Sequence, residues 1–479
     1  MVVIEKLGAS QKQSVRRPRT RAIWITTEGV FFVFFVGGLA WVPFWLGSDR
    51  LIPWGINAVV FPGLAAFYEL SLIIRGAPHP VSIRCIRLSV ILFMTAATWA
   101  LVQNASWTPE AWHHPIWQLA AETLGQQVAG SISVDRDLTA LALIRLMTAA
   151  SVFWLALQLG RDAWRAQAML WCLVGIGAIY GAAGLYALAF LPHAMLFEES
   201  VRFGNVVVSS TFVNRDSYAT FAGIGFIIAL ALIQRIYRRD LRRSGDLLRL
   251  KVATLIETTG SQAALPLAMA FIILVALLLT GSRGGIISTA AGIFTLIVFN
   301  VGRARRIGKN EALLAAFAVV LVGAVFVGFG DVLVGRIVDR GIFEASKVRS
   351  YLLAIRSIES APLLGYGYGT FGAVFPMFHD DSMSLWVYWA RAENTYLEVF
   401  QGLGLLFGAM LIGSVLALVY ACAKGAKTLR RNATIPAVAV GVSVLVGGHA
   451  LVDFSLQIQA ITLTYMAVLG VGVAQTKRE

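Results

Sequence analysis

The chain has 479 residues, of which 58% are hydrophobic and only 14% charged, and its mean hydropathy is +0.73. Soluble domains carry about 25% charged residues, so the composition excludes an ordinary soluble globular protein. A net charge of +14 would suggest a nucleic-acid partner in a soluble chain; here the cations fall in clusters between apolar runs, which is the positive-inside pattern of a membrane protein, and no nucleic acid is expected.

Apolar runs of roughly twenty residues recur along the whole chain, the length needed to cross a bilayer as a helix. The predicted spans are 23–46, 51–74, 86–104, 139–160, 167–191, 217–234, 264–281, 284–301, 312–330, 395–421, 434–452 and 456–474. The expected fold is therefore an all-α integral membrane protein of about twelve transmembrane helices, with one long outer loop between helices 9 and 10. Its parts are a basic tail at 1–22, helices 1–9 over 23–330, the loop at 331–394, and helices 10–12 with a short tail over 395–479. Arg16, Arg17, Arg19 and Arg21 lead straight into the first apolar run with no small-residue cleavage site, which reads as a signal anchor. The three cysteines, Cys85, Cys172 and Cys422, are too far apart in sequence to suggest a disulfide framework or a metal knot.

If every span crosses, about 28 of the 40 Lys and Arg fall on one side, which becomes the cytoplasmic side together with both termini. The other face carries Arg50, Arg136, Arg145, Arg202, Arg215, Arg283, Arg336, Arg340, Arg349, Arg356 and Arg391 against a single lysine, Lys347. Arginine holds phosphate through two parallel hydrogen bonds and lysine does not, so the bias points to a phosphate-bearing ligand; snorkelling of helix-end arginines is the plain alternative. No internal repeat is visible, which argues against a two-repeat transporter.

Five constellations on that face could carry chemistry. Asn214-Arg215-Asp216 precedes the sixth span, where a helix N-terminus favours anions, or where Asn214 or Asp216 simply caps the helix. Ser282-Arg283-Gly284-Gly285 forms the turn between spans seven and eight, and its glycines permit close approach of a ligand or a neighbouring helix. In the long loop, Arg349 precedes Gly365-Tyr366-Gly367-Tyr368-Gly369. Tyr366 and Tyr368, with Trp386, Tyr388 and Trp389 further on, could stack on sugar rings or form an interfacial belt. Arg391-Ala392-Glu393-Asn394 enters the tenth span, with Glu398 one turn deeper as an acid in an apolar run; capping and an arginine–glutamate ion pair are the alternative. His449 and Asp453, four residues apart, are expected to share a helix face, the carboxylate fixing the imidazole tautomer. Asp135 and Asp137 read as N-capping residues, and Asp380-Asp381 beside His379 is too thin a group to define a metal site.

These pieces resemble the O-antigen ligase and polymerase superfamily of membrane glycosyltransferases. The resemblance rests on STFVNRDSYATFAG at 210–223, LTGSRGG at 279–285, VRSYLLAIRSIESAPLLGYGYGTF at 348–371, RAENTYLEVFQGLGLL at 391–406 and HALVDFSLQIQA at 449–460. It implies transfer of a glycan from undecaprenyl diphosphate to an acceptor hydroxyl at the periplasmic face of a bacterial inner membrane. The acceptor is the lipid A core in ligases and another lipid-linked repeat unit in polymerases. It implies no cofactor, nucleotide sugar or metal. It maps phosphate-binding arginines onto Arg215 and Arg283, and a catalytic base onto Glu393, where ligases carry a histidine before the loop asparagine, here Asn394. Asn214, Ser282, Arg349, Tyr366, Tyr368, Arg391, Asn394, Glu398, His449 and Asp453 are the expected substrate-binding residues. A transporter or flippase moving a lipid-linked saccharide without bond formation is the alternative.

Overall fold

The computed structural model describes residues 26–191, 194–195, 198–201, 207–241, 248–301, 345–380, 389–429 and 433–476. The basic tail, the predicted span at 312–330, the start of the outer loop and residues Arg202, Arg336, Arg340, Asp381, Trp386 and Tyr388 lie outside them. In chain order the helices are α1 (Thr27–Trp41), α2 (Leu51–Arg75), α3 (Arg87–Asn104), α4 (Ile116–Leu124), α5 (Arg136–Leu159) and α6 (Ala163–Phe190). A two-stranded antiparallel ribbon, β1 (Ala194–Met195) and β2 (Glu198–Val201), follows. Then come α7 (Arg215–Leu241), α8 (Leu248–Thr258), α9 (Ala264–Leu279) and α10 (Arg283–Val301). The last group is α11 (Ala345–Ser360), α12 (Phe371–Phe378), α13 (Thr395–Thr428), α14 (Thr434–His449) and α15 (Gln459–Thr476).

Local chemistry sets many of the boundaries. Thr26, Asp135, Asp162 and Asn394 each accept backbone N–H bonds in the first turn of α1, α5, α6 and α13, supplying the partners that the first four amides of a helix lack. Asp135 is thus the cap its position predicts. α2 stops at Gly76, which takes the left-handed conformation suited to glycine. Five residues of π-helix, Thr259–Ala263, join α8 to α9 in one rod, so this helix begins well before the predicted span at 264.

Eight helical rods among the described residues are long and apolar enough to cross a membrane, and α1 and α14 are shorter apolar helices. Burial separates centre from rim. In α7, 78% of the apolar window is inside the protein, against 22% in α2. α7 and α15 therefore form the middle of the bundle, with α5, α10 and α14 packed around them. α2 and α3 turn Val59, Phe67, Ile73 and Leu88 outward, as a helix facing lipid must.

The described part of the outer loop is folded. α11 and α12 pack on α13 through Leu353, Ala354, Phe371, Phe375 and Ala392. Between them, Gly365, Gly367 and Gly369 all have positive φ. This run lies against a break in α13 at Gly404, whose φ is 76° and ψ 167°. The break releases carbonyls that a continuous helix would use. Gln401 O accepts from Tyr366 N at 3.0 Å and Gly402 O from Gly367 N at 3.0 Å, while the Gln103 amide donates to Gly402 O at 2.7 Å and Leu364 O at 2.6 Å. Backbone meets backbone here, so glycine is needed on both sides: a Cβ on Gly404 would fall 2.8 Å from the Leu363 carbonyl carbon. Gly404→Ala should lower the thermal unfolding midpoint of detergent-solubilised protein by at least a few degrees. The strain of a side chain in that backbone region alone is about 1–3 kcal/mol. Gly175→Ala, on a helix surface with nothing within 4 Å of the added carbon, should not lower it.

Candidate functional site

At one end of the bundle the N-termini of α7, α10 and α13 meet the link between α14 and α15. The two arginines singled out from the sequence both occupy the first position of a helix, Arg215 in α7 and Arg283 in α10. A cation there opposes the helix dipole, at a cost of about 0.3–1 kcal/mol, unless an anion is near. Arg136 also opens a helix, but its guanidinium donates to the Ala129 and Gly130 carbonyls at 2.7 and 2.5 Å. Arg215 lies 3.9 Å from Asp216, a loose pair, with about a third of its side chain exposed. Arg283 is half-buried. Ser282 caps α10 by accepting from Gly285 N at 3.1 Å and is itself buried.

Asp453 holds this end together. Its Oδ1 accepts from the Asn214 amide at 3.2 Å, and its Oδ2 from Ser217 Oγ at 3.4 Å and from Ser455 Oγ. Asn214 also accepts from Asp216 N at 2.9 Å, capping α7. The expected helix face shared by His449 and Asp453 is not formed: α14 ends at His449, and residues 450–454 turn away as the link to α15. The histidine instead reaches the carboxylate through hydroxyls. His449 Nδ1 lies 2.5 Å from Thr220 Oγ1, which lies 2.9 Å from Ser455 Oγ, and that serine bonds to Asp453. Each hydroxyl has one proton. With Ser455 donating to the carboxylate, the one Thr220 proton goes to Ser455 or to the Asp216 carbonyl at 3.3 Å, and in either case Nδ1 of His449 carries the hydrogen. This assigns the tautomer. It leaves the Nε2 lone pair against Gly284, where a Cβ would be only 2.8 Å away. The glycine after Arg283 is what lets the imidazole sit against the first turn of α10.

Glu393 stands on the third side. Its φ is 54°, a left-handed conformation uncommon outside glycine and concentrated at functional sites. Lys347 of α11 is 2.5 Å from its Oε2, with each side chain about a quarter exposed. The Tyr351 hydroxyl donates to the Glu393 carbonyl at 3.0 Å. Burial raises the Glu393 carboxyl above the ordinary range and Lys347 pulls it back, while Asp453 and Asp216 push it up. Asn394 caps α13 and donates to Leu451 O at 3.0 Å, and Thr395 N bonds to Ala450 O at 2.9 Å. Glu393 is therefore tied to the same link that carries Asp453.

The remaining predicted residues lie elsewhere or have internal partners. Arg391 bonds to Asp49 and to Gln457 Oε1, and Glu398 accepts from Gln457 and from Ala392 N at 3.2 Å. Half-buried Arg145 stacks over Trp54 at 4.2 Å and donates to the Gln457 carbonyl. Arg391 and Glu398 thus belong to a buried charge network that braces the entry to α13. Tyr366 is buried, its hydroxyl 2.6 Å from Ser360 Oγ, and Tyr368 packs against α3, α5 and α13. Arg349 is exposed on α11, and Trp389 packs on Phe375. Asp380 pairs with Arg356 at 3.6 Å. Sequence reasoning missed Lys347, Tyr351, Thr220 and Ser455 as site residues. The one signal for any of them was that Lys347 is the sole lysine among the outer-face arginines.

A family model described as O-antigen ligase matches residues 268–413. The matched stretch carries Arg283, Lys347, Glu393 and Asn394, while Arg215, His449 and Asp453 lie outside it. This stretch, about a third of the chain, is similar to that family. No curated protein matches the chain.

Burial raises the Asp453 carboxyl to about 6, with Asp216 adding to the effect and Ser455 opposing it. The folded state therefore binds this proton more tightly than the unfolded state. The stabilisation is complete below the unfolded value of 3.8 and is lost as pH rises through about 6. Thermal midpoints recorded by tryptophan fluorescence should fall over that window in the wild type, and Asp453→Asn should flatten the fall.

Proposed function

We propose that the protein is a bacterial inner-membrane glycosyltransferase that moves a glycan from undecaprenyl diphosphate to an acceptor hydroxyl at the periplasmic face, acting as a ligase or a polymerase. The acceptor is the lipid A core in the first case and another lipid-linked glycan in the second. The observation that carries this reading is the meeting, at one end of the bundle, of two helix-opening arginines with a strained carboxylate, Glu393. The family match over 268–413 supports glycosyl transfer of this general kind. With both termini on the cytoplasmic side, the site faces the periplasm.

In this reading the acceptor oxygen attacks the anomeric carbon of the donor. A new carbon–oxygen bond forms, the sugar–phosphate bond breaks, and its electron pair leaves with the diphosphate. Arg215 and Arg283, at the positive ends of the α7 and α10 dipoles, stabilise the growing charge from fixed positions. Glu393 takes the proton of the acceptor hydroxyl. Displacement in one step inverts the anomeric centre. Asn214 and Asp453 hold the N-terminus of α7, and Ser282 that of α10. His449, fixed as the Nδ1–H tautomer, offers Nε2 as an acceptor beside Arg283.

Arg283→Lys should fold normally and lose about 10²–10³ in rate, the usual cost of one preorganised charge-stabilising contact. Glu393→Gln should lose most turnover. Both are read as new glycosidic bond formed by purified protein with a lipid-linked glycan, and wild-type rates in either variant would remove that residue from the mechanism. A gel profile of surface polysaccharide from a deletion strain separates the two acceptors. Polymer that never reaches lipid A identifies a ligase, and single repeat units identify a polymerase.

A further inference from the structure

Glu393 as a base raises a question of its protonation. A carboxyl in a partly dry site beside two other acids tends to hold its proton, and a protonated base is idle. The groups facing it are Lys347 and Tyr351 from α11, Asp216 from α7 and Asp453 from the α14–α15 link, with His449 of α14 behind Thr220. Both aspartates favour the neutral form of Glu393, and Lys347 opposes them. Lys347 contacts Oε2 at 2.5 Å and also reaches the Val452 carbonyl at 3.4 Å. An ammonium group is a compact point charge, whereas a guanidinium covers both oxygens of a carboxylate in a fork. The close contact is to Oε2, and a point charge there does not cover the carboxylate as a fork would. The one Tyr351 hydroxyl proton goes to the Glu393 carbonyl at 3.0 Å, with Leu451 O 3.5 Å away as a second acceptor, so the ring sits between the two chain segments.

We infer that Lys347 and Tyr351 are positioning residues for Glu393: Lys347 holds the side chain as a carboxylate with one oxygen left for the acceptor proton, and Tyr351 holds the left-handed turn that aims it. The functional part of this statement rests on the reading of Glu393 as the base. It gives the lone outer-face lysine a role that arginine could not fill. A guanidinium would keep the charge and block the second oxygen.

The charge coupling is read without substrate, and the roles of the second oxygen and the tyrosine are read by glycan transfer from a lipid-linked donor. Dicyclohexylcarbodiimide reacts with protonated carboxyl groups in apolar surroundings, and peptide mass spectrometry reads its addition at each site. Full-length protein in detergent is labelled from pH 5 to 9. In Lys347→Met, Glu393 should be labelled about tenfold faster at pH 7 than in the wild type, the lower end of what loss of a close opposite charge produces. Lys347→Arg should be labelled as slowly as wild type yet transfer glycan poorly. Tyr351→Phe should leave the labelling curve in place and lower turnover. Labelling of Glu398 in the same digest, unchanged across variants, shows that the fold is kept; if Lys347→Met disturbs it, Lys347→Gln takes its place. Superimposed Glu393 curves for wild type and the neutral variant would overturn the role of Lys347. Full transfer by Lys347→Arg would overturn the requirement for a free second oxygen, and full transfer by Tyr351→Phe would overturn the role of the tyrosine. Full transfer by Glu393→Gln would instead remove the base reading, and a shifted labelling curve would still establish the charge coupling.

Discussion

A carboxylate taken out of water must be surrounded by hydrogen-bond donors, and the site end of this bundle is arranged around that need at Asp453. Asn214 and Ser217 come from the start of α7, and Ser455 comes from the link before α15. The donors come from two elements, so one side chain sets how α7 sits against the α14–α15 link. Through Ser455 and Thr220 the same carboxylate also fixes the tautomer of His449. Because Thr395 and Asn394 hang on the carbonyls of Ala450 and Leu451, the position of Glu393 is inherited from Asp453 as well. The start of α7 with Arg215, the histidine and the glutamate are all placed through this one residue.

Two charge systems lie side by side and do different work. In the buried one, Arg391, Asp49, Gln457, Glu398 and Arg145 are matched to one another, as charges withdrawn from water must be. In the other, helix-opening arginines face a shared end of the bundle with carboxylates nearby. Such a geometry is poor for the isolated fold, because cations at helix N-termini oppose the dipole. An anion bound at that end, as the proposed reaction requires, would offset this cost.

The bundle was legible in the sequence because lipid imposes one rule on every span: roughly twenty apolar residues with all backbone groups satisfied inside the helix. Short polar runs at helix starts were legible too, since Asn214, Asn394 and Asp135 cap as their types suggest. What could not be read was any contact between distant segments. The relay from His449 to Asp453 depends on a chain turn at 450–454 that replaces the expected helix, and on Thr220, which looks like an unremarkable helix residue. Arg391 and Glu398 looked like ligand contacts because their partners Asp49 and Gln457 are far away in sequence. The alternating glycines and tyrosines suggested a surface for phosphate or sugar, yet the positive φ values serve close packing against α13. Composition shows that glycine is needed, and only the fold shows what comes near.

The break in α13 has a consequence for assembly. The amides of Tyr366 and Gly367 are synthesised before the carbonyls of Gln401 and Gly402 that receive them, and Gln103, which bonds to the same carbonyls' neighbourhood, is synthesised earlier still. The loop must therefore wait in water, with its polar groups solvated, until α13 is laid down beside α3. Synthesis of the loop and completion of this layer are then separate events, and the second is a docking step in which a segment already made finds its seat on α13.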